Sequence, residues 1–417
     1  MVTSTMEQVG SEITPTEVTK TGVDHALSVV SEKFPNYRLA VEVCLSAIAT
    51  LLLEDNANPA FLIKEGASGS GKTTIDEIIG RISELTLWVD SFTQASFVSQ
   101  RADKSEEQLQ KSDLLPRLKH RVLITPDLAP TLGQKRDNLK AIVGVITRVL
   151  DGQGYSNWSG AKGGRGYSGD HLFVWLASTT PLSREAWSEI GRAGTRAMLL
   201  HLSVDEQDNE ALDFVALLAG AESYSDKKTI CHSAVEGFLR ELWKRLGGPR
   251  SVAWPKNDSD ELLGHLGQLA KLVGVDWRAM TDDGSIAKDS PQRYSMLLYN
   301  LARGHALLYG RHELNSDDLA IVARVAADSI PNWRRPILRA LIRKGELTTS
   351  DVMQACAVSR PIAVRRMEEL ETIGAVELLR PGGDFGLEHS PWRIKLLPAH
   401  QWVLNPENQW LWKHLPR

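Results

Sequence analysis

The stretch that decides the fold is Gly66-Ala67-Ser68-Gly69-Ser70-Gly71-Lys72-Thr73, which has the pattern G-x-x-x-x-G-K-[ST]. The apolar run Phe61-Leu62-Ile63 precedes it and suits a buried strand, while the amphipathic segment 74–79 follows it and suits a helix. A strand that feeds a glycine-rich loop at the start of a helix points several backbone N–H groups at one spot, where the helix dipole also favours an anion. The sequence therefore predicts a phosphate-binding loop that holds a nucleoside triphosphate.

The residues of this loop have distinct expected roles. Lys72 is expected to reach the β- and γ-phosphates, and the Thr73 hydroxyl to coordinate Mg²⁺. The glycines permit positive φ angles and close approach of the backbone to the ligand. The predicted nucleotide-binding set is Gly66, Ser68, Gly69, Ser70, Gly71, Lys72, Thr73 and Thr74. ATP and Mg²⁺ are the expected cofactors.

Length, composition and net charge limit the classes of protein to which this chain can belong. The chain has 417 residues, 42% of them hydrophobic and 24% charged, which suits a globular protein of two or three domains. A net charge of −4 argues against a protein that coats nucleic acid non-specifically. The three cysteines lack metal-ligand spacing and are typical of a reducing compartment. The most apolar stretch, residues 41–53, is too short to span a bilayer, and the N-terminus has no signal-peptide pattern. We therefore expect a cytoplasmic protein without a membrane partner.

Changes of pattern divide the chain into five parts. Alternating strand and helix patterns up to about residue 204 predict an α/β fold with a parallel sheet, and a wholly helical pattern follows. Prolines at the ends of segment 331–336 interrupt that helical pattern. The predicted parts are a flexible arm with a lead helix (1–34), an α/β core (35–204), a helical lid (205–330), a compact module (331–400) and a Trp-rich tail (401–417).

Polar residues follow two further strands of the predicted sheet. Asp127 comes just after the apolar strand 121–125, where an acid can hold hydrated Mg²⁺ opposite Thr73. Thr179 and Thr180 follow the strand 171–177, and a polar side chain there would lie between the γ-phosphate and the attacking water. Arg196 precedes another apolar strand, 197–202.

This order of motifs resembles that of the AAA+ ATPases: Walker A, Walker B, sensor 1, arginine finger and helical lid. Within the lid, segments 291–306 and 315–319 resemble the sensor-2 region of minichromosome-maintenance (MCM) helicases and are similar to helicase-initiators of mobile genetic elements. The resemblance covers residues 35–330 and implies catalytic roles for Lys72, Asp127, Thr180 (or Thr179), Arg196 as the finger and Arg293 as sensor 2. It also implies ATP at subunit interfaces, with Arg196 supplied by the neighbour. The alternative for Arg293 is an ordinary surface ion pair.

One residue departs from that pattern. Walker B strands of active AAA+ enzymes usually end in Asp-Glu, whereas Leu128 follows Asp127 here. A single acid must then hold Mg²⁺ and assist the water, or a distant residue must help. Hydrolysis is therefore expected to be slow, or ATP serves mainly as an assembly switch.

Segment 155–167 predicts a β-hairpin ahead of the third strand. Two arms with aromatic residues flank a glycine-rich tip with two cations. MCM-like AAA+ proteins have a hairpin at this point that projects into the ring channel. By that resemblance, Lys162 and Arg165 at the tip would contact the phosphates of single-stranded DNA. The alternative is a surface loop without a partner.

The C-terminal module shows three helical patterns followed by two strand-like segments, 376–379 and 392–396, around a Pro-Gly-Gly turn. This order resembles a winged helix-turn-helix, whose third helix enters the major groove. Arg360, Arg365 and Arg366 would then face duplex DNA. Residues 331–400 hold eleven Lys and Arg against eight Asp and Glu, which favours nucleic acid. Such modules also dock proteins, which is the alternative.

The function that these patterns predict best is an ATP-hydrolysing AAA+ ring, hexamer-like, that acts on DNA as a helicase or replication initiator. Single-stranded DNA would occupy its channel, and duplex DNA would bind the winged module. A second hypothesis is an ATP-switched DNA-binding or regulatory assembly factor with little unwinding. A lone P-loop kinase is a third, but it would leave the C-terminal module unexplained.

Overall fold

The fold is described from a computed structural model, which describes residues 15–101, 104–159, 163–192, 196–202, 223–278, 290–380 and 391–416. At its centre lies a parallel sheet of five strands in the order β2-β3-β6-β1-β7. The first seven strands are β1 (Ala60–Gly66), β2 (Thr86–Trp88), β3 (Val122–Thr125), β4 (Gly154–Ser159), β5 (Gly163–Ser168), β6 (Val174–Thr179) and β7 (Ala197–Leu202). The sheet confirms the predicted α/β class.

Helices cover both faces of this sheet. Those before β7 are α1 (Pro15–Lys33), α2 (Arg38–Ala49), α3 (Lys72–Ile79), α4 (Gln94–Phe97), α5 (Glu106–Ser112), α6 (Leu114–Leu118), α7 (Ala129–Leu132), α8 (Arg136–Val149) and α9 (Arg184–Arg192). Parallel strands covered on both faces are mostly apolar, and every residue of β1 and β6 is buried, including Lys64 and Glu65 of β1.

The sheet separates two apolar cores. On one face, Leu62 and Val174 pack with α1, α2, the lid helices and the C-terminal module. On the other, Phe61 and Trp175 stack with their ring centroids 4.5 Å apart and pack with residues of α4, α6, α8 and α9. The first core is continuous from the lead helix to the C-terminal tail, so the predicted parts of the chain share one interior.

The described part of the region predicted as a lid is mainly helical, although residues 247–259 are not in a helix and include a β-bridge between Val252 and Leu53. Its helices are α10 (Tyr224–Leu246), α11 (Asp260–Leu269), α12 (Pro291–Leu308) and α13 (Ser316–Asp328), with a π-helical turn at Ala270–Asp276. Helix α12 packs closely on α2, since a Cβ at Gly304 would lie 2.1 Å from the Ser46 carbonyl oxygen. Glycine is the residue that permits this approach of two backbones.

The C-terminal module packs three helices on a small antiparallel sheet. Its elements are α14 (Arg335–Lys344), β8 (Glu346–Thr348), α15 (Thr349–Cys356), α16 (Arg360–Thr372), β9 (Val376–Leu379) and β10 (Arg393–Leu396), with sheet order β8-β10-β9. The short strand β8 was not predicted, because three residues give too little alternation to recognise. Segment 381–390, which includes the predicted Pro-Gly-Gly turn, lies outside the described residues.

The Trp-rich tail folds back onto the body of the protein. Helical turns at Pro398–Leu404 and Pro406–Trp412 bury Leu411 and Trp412 in the first core. Arg324 of α13 donates a hydrogen bond of 2.7 Å to the backbone oxygen of His414. Among the helices of the described ranges, none is long and apolar enough to cross a membrane.

Candidate nucleotide site and the surfaces around it

A cavity of about 350 Å³ opens at the carboxyl edge of the sheet. Parallel strands β1, β3 and β6 all end at this edge, which is where open α/β sheets bind ligands. Its lining residues are Tyr37, Ser68, Gly69, Gly71, Lys72, Thr73, Thr74, Pro126, Asp127, Thr180 and Tyr224. The structure thus brings together Lys72, Thr73, Asp127 and Thr180, which come from three separate strand ends.

The phosphate loop has the backbone that its sequence predicts. Gly69 and Gly71 both have φ of +83°, a conformation that L side chains rarely adopt. A Cβ at Gly66 would lie 2.4 Å from the Ser70 hydroxyl oxygen, so a side chain there would displace the turn. Gly66 and Ser70 are not among the residues that line the cavity, and they shape the loop instead.

The Lys72 side chain contacts the backbone of this loop. Its Nζ donates hydrogen bonds of 2.7 Å to the carbonyl oxygens of Gly66 and Ala67. Partial burial lowers the pKa of Lys72, while the charge of Asp127 acts in the opposite direction. The ammonium therefore stays close to the position where phosphate oxygens would lie.

The residues present fit a Mg²⁺ ion bound together with ATP. Asp127 and Thr73 offer a carboxylate and a hydroxyl oxygen to the same cavity, and Mg²⁺ prefers such oxygen ligands. Asp127 Oδ1 also accepts the Ala129 backbone N–H at 2.8 Å, which fixes the side chain at the start of α7. Asp127 is the one carboxylate among the described lining residues, as the missing Glu after it led us to expect.

Two tyrosines complete the wall of the cavity and were not predicted from sequence. Tyr37 lies against the loop, since a Cβ at Gly71 would meet its ring at 2.2 Å. Tyr224, at the start of α10, shares a hydrogen bond of 2.6 Å with the Thr74 hydroxyl. Burial and the neighbouring Tyr224 raise the pKa of Tyr37 to about 12. The cavity therefore has an aromatic side as well as a phosphate-binding side.

A buried ion pair lies beneath the loop. Lys64 of β1 is 2.9 Å from Asp76 of α3, and both side chains are fully buried. Burial alone would lower the pKa of Lys64, but the charge of Asp76 raises it. Asp76 also accepts a hydrogen bond of 2.8 Å from Ser178 of β6. The two strands and the helix that position Lys72 and Thr180 are thus joined by polar contacts.

Arg196 and Arg293 converge on one carboxylate at the opposite end of the sheet. Arg196 NH2 is 3.1 Å and Arg293 NH1 is 2.6 Å from Asp151 Oδ1. Burial would raise the pKa of Asp151, but these two hydrogen-bonded guanidinium groups lower it. Arg196 precedes Ala197, which pairs with Phe61 at the amino end of β1. Five residues of strand, roughly 17 Å, therefore separate these arginines from the phosphate loop of their own chain.

The hairpin forms as predicted, but Arg165 does not lie at its tip. Ser159 pairs with Gly163, so the tip is 160–162, and Lys162 lies outside the described residues. Arg165 is on the second strand, where it contacts Asp113 at 2.7 Å and the Tyr167 hydroxyl at 2.6 Å. The predicted position of Arg165 at the tip is therefore wrong, because the residue lies within the paired strands and contacts the buried Asp113 carboxylate. Its predicted phosphate contact stays a prediction.

Helix α16 presents its arginines unequally. Arg360 and Arg365 are exposed, whereas Arg366 is half-buried near Cys356. Burial raises the pKa of the Cys356 thiol, an effect that Arg366 partly offsets. Glu369, one turn after Arg365, accepts a hydrogen bond of 2.6 Å from Arg334. The helix is therefore fixed to the body of the protein near Glu369, and Arg360 and Arg365 remain exposed to solvent.

Comparisons with known proteins return distant structural likenesses. No family profile matches the chain, and no curated protein does. A crystal structure described as a "putative ATPase" from Cytophaga hutchinsonii is 14% identical with a TM-score of 0.44, over 79% of this chain and 96% of that one. A full-length MCM homolog from Methanopyrus kandleri is 11% identical with a TM-score of 0.45, over 77% of this chain and 62% of that one. Such low values assign neither a family nor an activity to this chain.

Proposed function

We propose that this protein is an AAA+ ATPase that hydrolyses ATP at subunit interfaces of a ring and acts on DNA as a helicase or replication initiator. The observation that carries the ATPase part is the cavity at the carboxyl edge of the sheet. It unites a phosphate loop, Lys72, Thr73, an acid at Asp127 and a polar side chain at Thr180. A strand order with β6 between the loop strand β1 and the acid-bearing strand β3 is consistent with an AAA+ core.

The chemistry proposed for these residues is electrostatic. Lys72 and the loop amides would hold the β- and γ-phosphates, and Thr73 with Asp127 would hold Mg²⁺, which neutralises charge on the phosphate oxygens. Thr180 would orient the attacking water. Tyr37 and Tyr224 would flank the nucleobase at the aromatic side of the cavity. Lys72 is the one cation among the described residues that line the cavity, so the negative charge that develops on the γ-phosphate would call for a second cation.

Arg196 and Arg293 would supply this second cation to the nucleotide site of a neighbouring subunit. They lie at the far end of the sheet from their own phosphate loop and share Asp151. Arg148 also lies 3.2 Å from the other oxygen of Asp151, so three arginines surround this carboxylate. A head-to-tail ring brings such a patch to the cavity of the next subunit, where arginine stabilises the transition state.

The DNA part of the proposal rests on the hairpin and the C-terminal module. The module has the helix and strand order of a winged helix-turn-helix, and α16 exposes Arg360 and Arg365. Lys162 at the hairpin tip remains a proposed backbone contact. A cytoplasmic location and a hexamer-like ring likewise remain proposals.

One observation favours a second function, an ATP-switched DNA-binding assembly factor with little unwinding. Asp127 is the one carboxylate among the described residues that line the cavity. A site that lacks a second acid to polarise the attacking water is expected to bind ATP but to hydrolyse it slowly. In that case, nucleotide binding would drive assembly on DNA and turnover would be slow.

ATP turnover by the full-length protein, measured with and without single-stranded and duplex DNA, tests the proposal. We expect DNA-stimulated hydrolysis that Lys72→Ala abolishes, because the cation at the phosphates is lost. Lys244→Ala, an exposed lysine on α10, is the matched control and should retain activity. Full turnover in folded Lys72→Ala protein would contradict the assignment of the site, and tight ATP binding without turnover would favour the assembly factor.

A further inference from the structure

The hairpin carries the most exposed large apolar side chain of the described residues. Trp158, on β4, is 79% exposed, whereas the next, Tyr224, is 48% exposed. An indole that remains in water at this level forgoes the favourable free energy of burial. Trp158 therefore has the exposure expected of a side chain that is covered by a partner.

The surface around Trp158 is flat. Its ring lies across Gly164 of the paired strand, because a Cβ at Gly164 would lie 2.2 Å from the indole Cε3. On the same face, Gly166 pairs with Ser156. With small residues on both strands, no neighbouring side chain stands above the plane of the ring. One face of the indole rests on the hairpin and the other is open.

The opposite face of the hairpin anchors it. Arg165 binds Asp113, and the Gln100 side chain donates a hydrogen bond of 3.0 Å to the Asn157 backbone oxygen. Side chains alternate along a strand, so the Arg165 contact lies on the face away from Trp158. The indole is thus presented on a support that is fixed to the body of the protein.

Charge indicates which partner fits this surface. Residues 152–169 contain no Asp or Glu, so no acidic side chain of this segment would repel a polyanion. No other large apolar side chain adjoins Trp158 on its face of the paired strands, as a protein interface with a ring of contacts around its anchor would require. A single exposed ring on a segment without acidic residues suits a polyanion that offers flat aromatic faces. In a duplex those faces are stacked on neighbouring bases, so the fitting partner is a single strand.

We propose that Trp158 stacks on an unpaired base of single-stranded nucleic acid. This proposal rests on the proposed function, in which the hairpin meets a nucleic-acid strand, and it adds the residue that distinguishes single strands from duplex. Base–aromatic stacking tolerates any sequence, because every base has a π-face. The contact would therefore add to the affinity for a single strand without adding sequence preference.

The test measures binding of fluorescent oligo-dT and oligo-rU to the full-length protein in the presence of non-hydrolysable ATP. Trp158→Ala is expected to weaken binding roughly 5- to 100-fold, the equivalent of one lost base stack. Trp158→Phe should retain most of the affinity. The salt dependence should stay unchanged in both variants, since no charge is removed. An oligomer with abasic sites should bind the wild-type protein and Trp158→Ala equally, and Leu263→Ala, 39% exposed on α11, is the matched apolar control.

The outcomes separate this proposal from the proposed function. If the wild-type protein binds neither oligomer at low salt, the nucleic-acid function fails, and the stacking contact fails with it. If the wild-type protein binds and Trp158→Ala binds equally well, the stacking contact alone is overturned. If Trp158→Ala instead lowers the oligomeric state at unchanged affinity per subunit, Trp158 is a contact between copies of this chain, which also overturns it. A difference with oligo-dT alone would restrict the partner to DNA.

Discussion

Glu65 and Arg335 form a buried ion pair, with Arg335 NH2 2.7 Å from Glu65 Oε2. Glu65 immediately precedes the phosphate loop, and Arg335 is the first residue of α14 in the C-terminal module. The other oxygen of Glu65 accepts the Leu182 backbone N–H at 3.0 Å, two residues beyond Thr180. Burial would raise the pKa of Glu65, but the nearby His201, the charge of Arg335 and the backbone N–H of Leu182 lower it. Glu65 therefore joins the strand that leads into the phosphate loop to the C-terminal module.

Loss of Arg335 should destabilise the whole chain, because it leaves Glu65 charged and buried. We expect Arg335→Ala to lower the free energy of unfolding by about 3–5 kcal/mol in urea titrations. The control is Arg393→Ala, which breaks an ion pair with Glu346 that is 53% and 42% exposed. The Arg393→Ala variant should lower the free energy of unfolding by only about 0–1 kcal/mol. Equal effects of the two variants would contradict the structural role of the buried pair.

His305 should make stability depend on pH above neutrality. It lies 2.5 Å from Asp318 and 3.2 Å from Glu42. Burial would lower the pKa of His305, but hydrogen bonds to these two carboxylates raise it. A raised pKa contributes stability that is fully present below the unfolded value, about 6.5, and is lost as pH rises through the folded value.

We therefore expect the melting temperatures of the wild-type protein and His305→Gln to differ most near pH 6 and to converge as the pH rises. Asp318 and Glu42 have lowered pKa values and titrate only in acid, so they do not interfere. His312→Gln, which removes an exposed histidine, is the control. A gap between wild type and His305→Gln that widens with pH would show that His305 is held neutral in the folded protein.

Duplex binding should depend on the exposed arginines of α16. Arg360 and Arg365 are exposed there, so replacing both with alanine should weaken duplex binding and reduce the salt slope by roughly two units, about one for each lost phosphate contact. Binding of oligo-dT should change less. Lys244→Ala serves as the control for loss of one positive charge. Unchanged duplex binding by the double variant would leave the module as a surface for docking proteins.

Local patterns were enough to predict much of the architecture. The loop from Gly66 to Thr73 fixes a strand before it and a helix after it, and the capping box at Thr348 and Asp351 forms as its spacing requires. Each of these depends on residues that are neighbours in sequence. In α16 and the residue after it, Ala363, Met367, Leu370 and Ile373 are buried, whereas Val364 is only partly buried. A hydrophobic pattern shows that a segment is helical, but it defines the direction of the buried face only approximately.

Contacts between distant segments could not be predicted in this way. Asp113 neutralises Arg165 across 52 positions of sequence, and no local signal links them. The same holds for Asp151 between Arg196 and Arg293, and for Tyr224 beside the phosphate loop. A single carboxylate or tyrosine in a sequence has many possible partners. Only the folded chain decides which partner each one meets.

The central claim is that each nucleotide site is completed by the neighbouring subunit, and mixing two inactive variants tests it most directly. Lys72→Ala removes the phosphate cation, and Arg196→Ala removes the arginine at the far end of the sheet. Neither variant alone should hydrolyse ATP above background.

In a head-to-tail ring mixed at random in equal amounts, about a quarter of the interfaces combine an intact Lys72 with an intact Arg196 from the next subunit. We therefore predict that ATP turnover reappears on mixing, at roughly that fraction of the wild-type rate per subunit. The absence of any recovery in subunits shown to co-assemble, or full turnover by Arg196→Ala alone, would contradict the shared site.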